Sequence, residues 1–247
     1  MKIVIPMAGR GFRFKKEGFK GPKPLIPVAG KPMIQWAVES VKRTVPVSGK
    51  DFIFVLLKEH EEEYSIGKKM TEWVPGSQQL LIDDVTEGAA ATVFLTKDLV
   101  DSNEELFITD SDQCFEIKKF NEVRLNALKN NYAGIIATAE KHSTAYSYAE
   151  TNDEGFVVRT AEKDPISTHA AVGVYYFTKS NYFMESIKYM MDNKLLSQNE
   201  YYVCPVYNQV LKHGKVVIVN ADFWMTMGTP AEKAQFEEYI KAKGKNA

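Results

Sequence analysis

Two groups of residues in this chain have the types and spacing that phosphate chemistry needs. The first is a glycine loop, MAGRGFRF over Met7–Phe14, which follows an apolar run at Met1–Pro6. A glycine loop after a buried strand lets backbone N–H groups approach phosphates closely. The chain contains no G-x-x-x-x-G-K-[ST] Walker motif, and the loop lacks the third glycine of a Rossmann fingerprint. By themselves the glycines therefore fit a phosphate loop and a plain tight turn equally well.

Two basic residues near this loop favour the phosphate interpretation. Arg13 lies just past the turn, and Lys23 stands between Pro22 and Pro24. Flanking prolines restrict the backbone and so limit where the Lys23 side chain can point. Preorganised Arg and Lys side chains stabilise the negative charge that a triphosphate carries and that builds up during phosphoryl-type transfer. The pair therefore predicts a phosphate site beside the loop.

The second group is acidic and follows a short strand predicted at Glu105–Thr109. Asp110 and Asp112 come directly after it, within LFITDSDQCF. Ligands of α/β sheets bind beyond the carboxyl ends of the strands, and Mg²⁺ is typically held by one or two carboxylates together with phosphate oxygens. In an extended segment these two side chains would point the same way. We therefore predict that Asp110 and Asp112 bind Mg²⁺, with a turn or helix cap as the alternative role.

The loop and the proline-flanked lysine together resemble a known signature. MAGRGFRF followed by GPKPLIPVAGKPMI is similar to the pattern of the sugar-phosphate nucleotidyltransferases, which show G-x-G-x-R, then P-K-P-L-x-P-V, then G-K-P. The resemblance implies that Arg13 and Lys23 are catalytic: Arg13 holds the phosphates of an NTP, and Lys23 bridges to the phosphates of the reacting pair. It also implies a nucleotide-binding loop formed by Met7, Ala8, Gly9, Arg10 and Gly11.

Two further segments resemble the nucleotide side of the same family. The family's apolar strand followed by N-G-D or N-S-D places Asp112 on the metal aspartate and Asp110 where asparagine is more usual. The segment TEGAAAT resembles the G-x-A segment that lets the base approach the backbone, although a tightly packed helix start explains its small residues equally well. The resemblance implies nucleotide contacts by Glu87, Gly88 and Ala89.

The substrate side carries two more resemblances. Glu162-Lys163 and the later AVGVYYF resemble E-K-P…[AS]-x-x-G-[apolar]-Y-x-F, which implies that Glu162, Lys163 and Gly173 bind the substrate. The segment WMTMGTP resembles the closing W-x-D-x-G-T-P motif, but Thr226 stands where the family often has a second metal aspartate. A hydroxyl is a poorer Mg²⁺ ligand than a carboxylate. We therefore assign Thr226 to substrate binding. Either Asp110 or Asp222 replaces the missing metal-binding aspartate, or the site needs only one carboxylate.

The predicted elements place these groups at one edge of a sheet, because strands and helices alternate at the spacing of βαβ units in a mainly parallel sheet. The predicted strands are Met1–Pro6, Asp51–Lys58, Glu105–Thr109, Ala133–Ala139, Phe156–Thr160, Ala171–Thr178 and Lys215–Val219. The predicted helices are one opening at Lys31-Pro32, then Ala89–Leu99, Ile117–Asn130, Asn181–Asp192 and Glu200–Lys212, and a last one capped by Thr229 and Glu232 around Pro230. We predict that the final residues, Lys241–Ala247, form a solvated tail.

The pattern predicts one α/β domain over residues 1–247, with a nucleotide-binding half at about 1–140 and a substrate-binding half at about 141–247. The resemblance implies a Rossmann-like three-layer sandwich with a mainly parallel mixed central sheet, of the GT-A-like nucleotidyltransferase kind.

Composition excludes several classes of protein. The net charge of −1 lacks the basic balance of a nucleic-acid binder. No apolar run approaches the roughly 18 residues of a membrane span, and the N-terminal apolar run is too short for a signal peptide. Cys114 and Cys204 lack metal-ligand spacing and are expected to stay reduced. We expect a soluble cytoplasmic protein without a nucleic-acid or membrane partner. The sequence leaves open whether the protein forms a homo-oligomer.

These observations predict an enzyme that transfers NMP from an NTP to a small phosphorylated substrate and releases pyrophosphate, with Mg²⁺ as cofactor. The resemblance implies a sugar 1-phosphate acceptor and a role in making precursors of a cell-surface polysaccharide. The main alternative is a CTP-dependent cytidylyltransferase acting on a non-sugar phosphate such as phosphocholine. Asp110-Ser111-Asp112 also fits a D-x-D glycosyltransferase. Because Thr226 replaces a metal-binding aspartate, a non-catalytic nucleotide-binding module is a further alternative.

Overall fold

The structure is a computed structural model that describes residues 1–244. Residues 241–244 of the predicted tail continue the last helix and are exposed, and the rest of that tail lies outside the described residues. Within the described part, no helix is both long and apolar enough to cross a membrane. Cys114 and Cys204 are buried and free.

Strands and helices alternate along the chain as the periodicity predicts. The strands are β1 (Lys2–Pro6), β2 (Pro27–Val28), β3 (Lys31–Pro32), β4 (Phe52–Leu57), β5 (Gln78–Ile82), β6 (Leu106–Thr109), β7 (Gln113–Glu116), β8 (Gly134–Glu140), β9 (Ser147–Thr151), β10 (Val157–Glu162), β11 (His169–Phe177), β12 (Val216–Asn220) and β13 (Phe223–Thr226). The helices are α1 (Phe12–Lys15), α2 (Met33–Thr44), α3 (Lys58–Tyr64), α4 (Ile66–Trp73), α5 (Ala89–Phe94), α6 (Phe120–Lys129), α7 (Ser180–Asp192), α8 (Val203–Val210) and α9 (Pro230–Gly244).

A mixed nine-stranded sheet forms the centre of the molecule. β1 lies between β4 and β6 and is parallel to both, and β5 extends the parallel part beyond β4. β11 runs antiparallel to β6 and β8, and β12 pairs in parallel with β8. Because the chain leaves β1 for β4 on one side and returns to β6 on the other, the strand order reverses between β1 and β6. Open α/β sheets bind ligands at such a point, outside the carboxyl ends of the strands.

Helices cover both faces of this sheet, and each face has its own apolar core. One core packs α2, α4 and α6 against the sheet, and the other packs α5, α7 and α8. β4, with all six residues buried, contributes alternate side chains to the two cores, as a strand covered on both faces must. These observations confirm the predicted α/β sandwich with its mainly parallel mixed sheet.

A second, two-stranded sheet lies beside the carboxyl end of β6. β7 pairs antiparallel with β13, so that Thr226 lies opposite Gln113. A third apolar core beneath it joins Phe14 of α1, Met33 of α2, Cys114 of β7 and Phe236 of α9. This small sheet brings a segment from late in the chain against the residues that follow β6.

Several elements differ from the sequence-based expectation. The helix predicted at Ala89–Leu99 ends at Phe94, and the one predicted at Ile117–Asn130 starts only at Phe120. Pro32 precedes the first turn of α2 instead of lying in it. The segment after β6 is a turn and not an extended strand. The predicted start of α9 is confirmed, since Thr229 Oγ1 accepts the Glu232 N–H at 3.2 Å and donates to the Glu232 carboxylate at 2.9 Å.

Candidate active site

A cleft of about 830 Å³ opens at the carboxyl ends of β1 and β6. The glycine loop that follows β1 and the turn that follows β6 form its floor, and later parts of the chain form the opposite wall. Fourteen of the sixteen predicted site residues line this cleft: Met7, Ala8, Gly9, Gly11, Arg13, Lys23, Gly88, Ala89, Asp110, Asp112, Glu162, Lys163, Gly173 and Thr226. The remaining two, Arg10 and Glu87, are not among the residues that line it.

The glycine loop is fixed at its start and sharply bent at its end. Met7 is buried and donates its backbone N–H to the Val55 carbonyl at 2.8 Å, which continues the β1 ladder by one residue. Gly11 has φ 63°, and a Cβ atom placed on it would lie 3.3 Å from the Lys23 Cβ. A glycine is therefore favoured here both by the left-handed backbone and by the close approach of Lys23. Arg13 lies in α1 directly after this bend and is exposed to the cleft.

Lys23 and Asp112 meet across the floor of the cleft. The Lys23 Nζ donates to the Asp112 Oδ2 at 2.6 Å, although 89 residues separate the two in sequence. Both side chains are largely shielded, with 26% and 12% of their surface exposed. Lys23 begins a short 3₁₀ turn, Lys23–Leu25, that Pro22 precedes in an extended conformation. This rigid turn aims the lysine at the end of β6.

Asp110 is half-buried beside this ion pair. Burial raises its pKa to about 7, and the charge of Asp112 adds to that rise, while Lys23 and a hydrogen bond with Gln113 act against it. Gly173 of β11 packs directly on the carboxylate, since a Cβ atom there would lie 2.3 Å from the Asp110 Oδ2. The Asp110 N–H donates to the Gly173 carbonyl at 3.1 Å. Because Gly173 has no side chain, it leaves room for the Asp110 carboxylate.

Thr226 lies next to Asp112 through the small sheet. The Met227 N–H donates to the Asp112 carbonyl at 2.7 Å, which ties the end of β13 to the turn after β6. A Cβ atom on Gly228 would lie 2.8 Å from the Asp112 Oδ2 and 3.4 Å from the Thr226 Oγ1, so both oxygens border the same small space. A carboxylate at position 226 would therefore face Asp112.

On the nucleotide side, Gly88 joins two segments that are distant in sequence. Its backbone has φ 129° and ψ 170°, a region that only glycine adopts readily. A Cβ atom there would lie 2.6 Å from both the N and the O of Tyr201. Tyr201 donates to the Glu87 carbonyl at 2.7 Å and accepts from the Ala90 N–H at 2.9 Å. The start of α5 is therefore locked to the segment that precedes α8.

On the substrate side, Glu162 ends β10, Lys163 follows it, and both line the cleft. The Glu162 carboxylate accepts a hydrogen bond from Ser147, and burial raises its pKa. Lys163 has a left-handed backbone with φ 55°, and its Nζ donates to the Tyr202 hydroxyl at 2.9 Å. This conformation is uncommon for a non-glycine residue.

The two predicted residues outside the cleft make other contacts. The Arg10 guanidinium pairs with Glu59 at 3.2 Å and Asp84 at 3.0 Å, both on exposed surface. The Glu87 side chain is exposed, and only its backbone carbonyl is engaged, with Tyr201. Their nucleotide-binding roles stay predictions.

Several residues of the cleft were missed from the sequence. They are mostly aromatic, amide or acidic side chains that late segments bring to the site: Gln113, Tyr146, Ser147, Glu200, Tyr202, Trp224 and Glu232. The Trp224 Nε1–H donates a hydrogen bond to the Gln113 Oε1 at 2.6 Å across the small sheet. Gln113 and Trp224 lie within the motifs that contain Asp112 and Thr226, so their position next to predicted site residues was a signal that could have identified them. The others follow from tertiary contacts alone.

The donor set at the end of β6 fits Mg²⁺. Within residues 1–244 no group of three or more His, Cys, Asp or Glu side chains could hold a metal ion, so the protein offers two carboxylates here at most. Mg²⁺ is commonly bound by one or two carboxylates and completes its shell with substrate phosphates and water. The raised pKa of Asp110 beside Asp112 indicates a carboxylate pair that Lys23 neutralises only in part. A divalent cation would relieve that repulsion.

Comparison with known proteins places this cleft in a family. A family model described as nucleotidyl transferase matches residues 2–242. The chain is 27% identical over 249 residues to the bifunctional protein GlmU of Methanocaldococcus jannaschii, covering 98% of this chain and 55% of that protein. It is 27% identical over 199 residues to the low-salt glycan biosynthesis nucleotidyltransferase Agl11 of Haloferax volcanii, covering 72% and 49%. The chain thus spans about half the length of these curated relatives.

Solved structures share the same architecture. A nucleoside-diphosphate-sugar pyrophosphorylase from Vibrio cholerae superposes with a TM-score of 0.81 at 22% identity, covering 96% of this chain and 99% of that one. A glucose-1-phosphate thymidylyltransferase from Bacillus anthracis, so described and crystallised with sucrose, gives a TM-score of 0.75 at 20% identity, covering 97% and 94%. At such identities the likeness establishes the fold.

Proposed function

We propose that this chain, which belongs to the nucleotidyl transferase family, transfers an NMP group from an NTP to a sugar 1-phosphate or a similar small phosphate ester. The reaction releases pyrophosphate. Its product would be an activated precursor for a cell-surface polysaccharide. The name of Agl11, a glycan biosynthesis nucleotidyltransferase that matches 72% of this chain, supports nucleotidyl transfer for glycan synthesis.

One observation carries the proposal. The Lys23 Nζ lies 2.6 Å from the Asp112 carboxylate, in the same cleft as the glycine loop and Arg13. Phosphate-binding groups from the end of β1 and candidate metal ligands from the end of β6 therefore face one space. A D-x-D glycosyltransferase would have no need for the proline-flanked lysine or for Arg13.

The reaction proposed is an in-line displacement at phosphorus. An oxygen of the acceptor phosphate forms a bond to the α-phosphorus of the NTP, and the bond from that phosphorus to the β-phosphate oxygen breaks. The electron pair leaves with pyrophosphate, and no covalent intermediate with the protein is required. Positioning and electrostatic stabilisation therefore supply the rate enhancement.

Individual residues receive roles within this scheme. Backbone N–H groups between Gly9 and Gly11, with the Arg13 guanidinium, hold the NTP phosphates. Lys23 is placed to leave Asp112 and contact the phosphates of the reacting pair. Asp112 and Asp110 would hold Mg²⁺, which when bound offsets negative charge on the phosphates as a Lewis acid. Residues up to about 140 would bind the nucleotide, and the remainder would bind the acceptor.

The deciding experiment is a matrix of the four NTPs against a panel of phosphate esters, read by pyrophosphate release with Mg²⁺. We expect release with at least one pair of substrates, and Asp112→Asn to abolish it. Binding of NTP without release for any acceptor would favour a non-catalytic nucleotide-binding module instead. Sugar transfer from a nucleotide sugar, without pyrophosphate release, would favour a glycosyltransferase.

A further inference from the structure

We infer that Trp224 and Gln113 are positioning residues for the carboxylate of Asp110. In this arrangement the Trp224 indole fixes the side-chain amide of Gln113, and that amide fixes the Asp110 carboxylate. The inference rests on the cation-binding role proposed for Asp110, and it adds two residues that line the same cleft. It comes from the small sheet of β7 and β13, which lies beside the end of β6.

The register of the small sheet brings the two side chains together. Trp224 lies opposite Phe115, and Thr226 lies opposite Gln113, in the antiparallel ladder. Because alternate residues of a strand point to the same face, all four share one face, and Trp224 and Gln113 are diagonal neighbours on it. Diagonal neighbours are roughly 7–8 Å apart, a distance that long and aromatic side chains can span. Phe115 is buried in an apolar core against which Trp224 packs, so the sheet also holds the indole in place.

The Trp224 indole determines which way the Gln113 amide points. The Trp224 Nε1–H donates to the Gln113 Oε1 at 2.6 Å. An indole nitrogen can only donate a hydrogen bond, so the amide must turn its oxygen towards Trp224 and its NH₂ group away from it. Gln113 is buried, and a buried amide that lacks partners is costly. The indole therefore fixes one of the two orientations that the amide could adopt.

In that orientation the Gln113 NH₂ group lies beside the Asp110 carboxylate. A Cβ atom on Gly173 would lie 2.3 Å from the Asp110 Oδ2 and 3.1 Å from the Gln113 Nε2, so both atoms border one small space. Burial raises the pKa of Asp110 most, and the hydrogen bond with Gln113 acts against that rise. The Asp110 N–H also donates to the Gly173 carbonyl at 3.1 Å. Backbone and side chain of Asp110 are thus both held.

Holding the Asp110 carboxylate in one orientation affects how well it binds a cation. Residues that orient a metal ligand typically change metal affinity or activity by about 10–100-fold when they are replaced. Holding β7 against β13 is a separate task, and the backbone ladder together with the apolar core around Cys114 already performs it. The hydrogen bond from Trp224 to Gln113 therefore serves Asp110 more than it serves the sheet.

The test measures Mn²⁺ binding to the full chain without nucleotide, by electron paramagnetic resonance of the free ion. Mn²⁺ is the probe because it takes the same oxygen ligands as Mg²⁺. Trp224→Phe keeps an aromatic ring and removes the N–H, and Gln113→Leu removes the amide. We expect each variant to raise the Mn²⁺ Kd by about tenfold. Trp73→Phe on α4 and Gln79→Leu on β5, both outside the cleft lining, are the matched controls and should leave the Kd unchanged.

Combined variants separate positioning from a general effect on structure. Because Trp224 acts through Gln113, Trp224→Phe should change the Mn²⁺ Kd little when Gln113→Leu is already present. Neither variant should change the Kd in an Asp110→Ala background. Additive effects, an unchanged Kd in both single variants, or no Mn²⁺ binding by the wild type would each overturn the inference.

The outcome is distinguishable from that of the proposed function. Pyrophosphate release by the wild type, with an unchanged Mn²⁺ Kd in both single variants, overturns the positioning role and leaves nucleotidyl transfer standing. Interdependent effects on the Mn²⁺ Kd, without pyrophosphate release from any pair of substrates, overturn nucleotidyl transfer and leave the positioning role standing.

Discussion

Lys23 and Arg13 are the basic side chains that face the glycine loop from fixed positions. Lys23 is held by a 3₁₀ turn between two prolines, and Arg13 lies in α1 immediately after the bend at Gly11. The backbone positions of both residues are set before substrate arrives, while the Lys23 side chain must leave Asp112 to reach the phosphates. The loss of Arg13 should therefore appear in the rate alone, whereas the loss of Lys23 also leaves the Asp112 carboxylate without its partner and should lower stability as well.

We predict that Arg13→Ala and Lys23→Ala each lower kcat/KM about 10²–10³-fold, the usual cost of removing one preorganised charge donor. The measurement is the initial rate of pyrophosphate release, with thermal unfolding as the check on folding. Lys20→Ala, which removes an exposed lysine outside the cleft lining, is the control. Activity within threefold of wild type in both variants would remove these residues from the mechanism.

Asp110 makes the stability depend on pH in an unusual direction. Its folded-state pKa is about 7 and its ordinary value is 3.8, so between these pH values the folded chain binds a proton that the unfolded chain has lost. Stability from this group is fully present below pH 3.8 and is lost as the pH rises towards 7. We predict that Asp110→Asn raises the free energy of unfolding at pH 8 by on the order of 1–3 kcal/mol, after a discount for partial exposure.

Urea unfolding in EDTA at pH 8 and pH 4 measures this effect. The gain from Asp110→Asn should be much smaller at pH 4, where the folded-state carboxyl is protonated and the pH lies close to the ordinary pKa of 3.8. The exposed Asp153→Asn serves as the control and should show no such trend. An equal or larger gain at pH 4 would mean that charge burial is not the cause.

Thr226 borders the same space as the Asp112 carboxylate, so a second carboxylate at position 226 should interact with that of Asp112. We predict that Thr226→Asp shifts the Mg²⁺ requirement to lower concentration, because two facing carboxylates repel each other without metal and share it when bound. Thr226→Ala should keep most of the activity, since a hydroxyl contributes little to Mg²⁺ binding. Mg²⁺ titrations of the initial rate compare the three proteins. A dead Thr226→Ala variant would give the hydroxyl a direct role on substrate.

At the scale of elements, short helix starts and strand ends position the site. α5 begins at Ala89, and its first turn is held by backbone hydrogen bonds to Tyr201, which precedes α8. The same contact carries Glu200 and Tyr202 into the cleft. Nucleotide and acceptor sides are therefore joined by the backbone hydrogen bonds of Glu87 and Ala90 with Tyr201.

We predict that Gly88→Ala is strongly destabilising, by about 2 kcal/mol or more, because it combines a backbone region reserved for glycine with a clash against the Tyr201 backbone. Gly155→Ala is the matched control: its φ is also positive, at 81°, but nothing lies within 4 Å of an added Cβ. That control should cost only about 1 kcal/mol. Thermal or urea unfolding compares them, and equal losses would show that the contact with Tyr201 adds nothing.

At the scale of the whole molecule, a largely shielded ion pair joins the sheet to one of its helix layers. Glu105, just before β6, pairs with Arg124 of α6, with one contact at 2.6 Å, and accepts a hydrogen bond from Tyr176 of β11. Burial opposes ionisation of Glu105, but the bonds from Arg124 and Tyr176 hold its pKa below the usual value. Its contribution to stability is therefore present above pH 4.5 and is lost as the pH falls further.

We predict that Arg124→Met destabilises the protein by about 2–4 kcal/mol at pH 7, because it leaves a buried carboxylate without its partner. Adding Glu105→Gln to this variant should restore much of the loss, since the unpaired charge is then removed. The deficit of the single variant should also shrink below pH 4.5, where Glu105 becomes protonated. Urea unfolding of wild type, single and double variants tests this, and an additive double variant would contradict it.

The sequence alone determined those features of this protein that depend on residues close together in the chain. Alternating strands and helices predicted the α/β class, and the glycine loop, the proline-flanked Lys23 and the acids after a buried strand pointed to Arg13, Lys23, Asp110 and Asp112. The resemblance to the sugar-phosphate nucleotidyltransferases implied the sandwich and the other site residues, and fourteen of the sixteen residues line the cleft. The errors were also local, such as the early end of α5 at Phe94, where the chain turns and does not continue its helical pattern.

Only the tertiary structure decided how these pieces meet. The pairing of β7 with β13 sets Thr226 beside Asp112, and the docking of Tyr201 on Gly88 delivers Glu200 and Tyr202 to the cleft. The same packing buries Asp110 next to Asp112 and so raises its pKa to about 7. Such contacts join residues tens to hundreds of positions apart. They depend on packing geometry and desolvation, which arise only when the whole chain folds and leave no periodic trace along it.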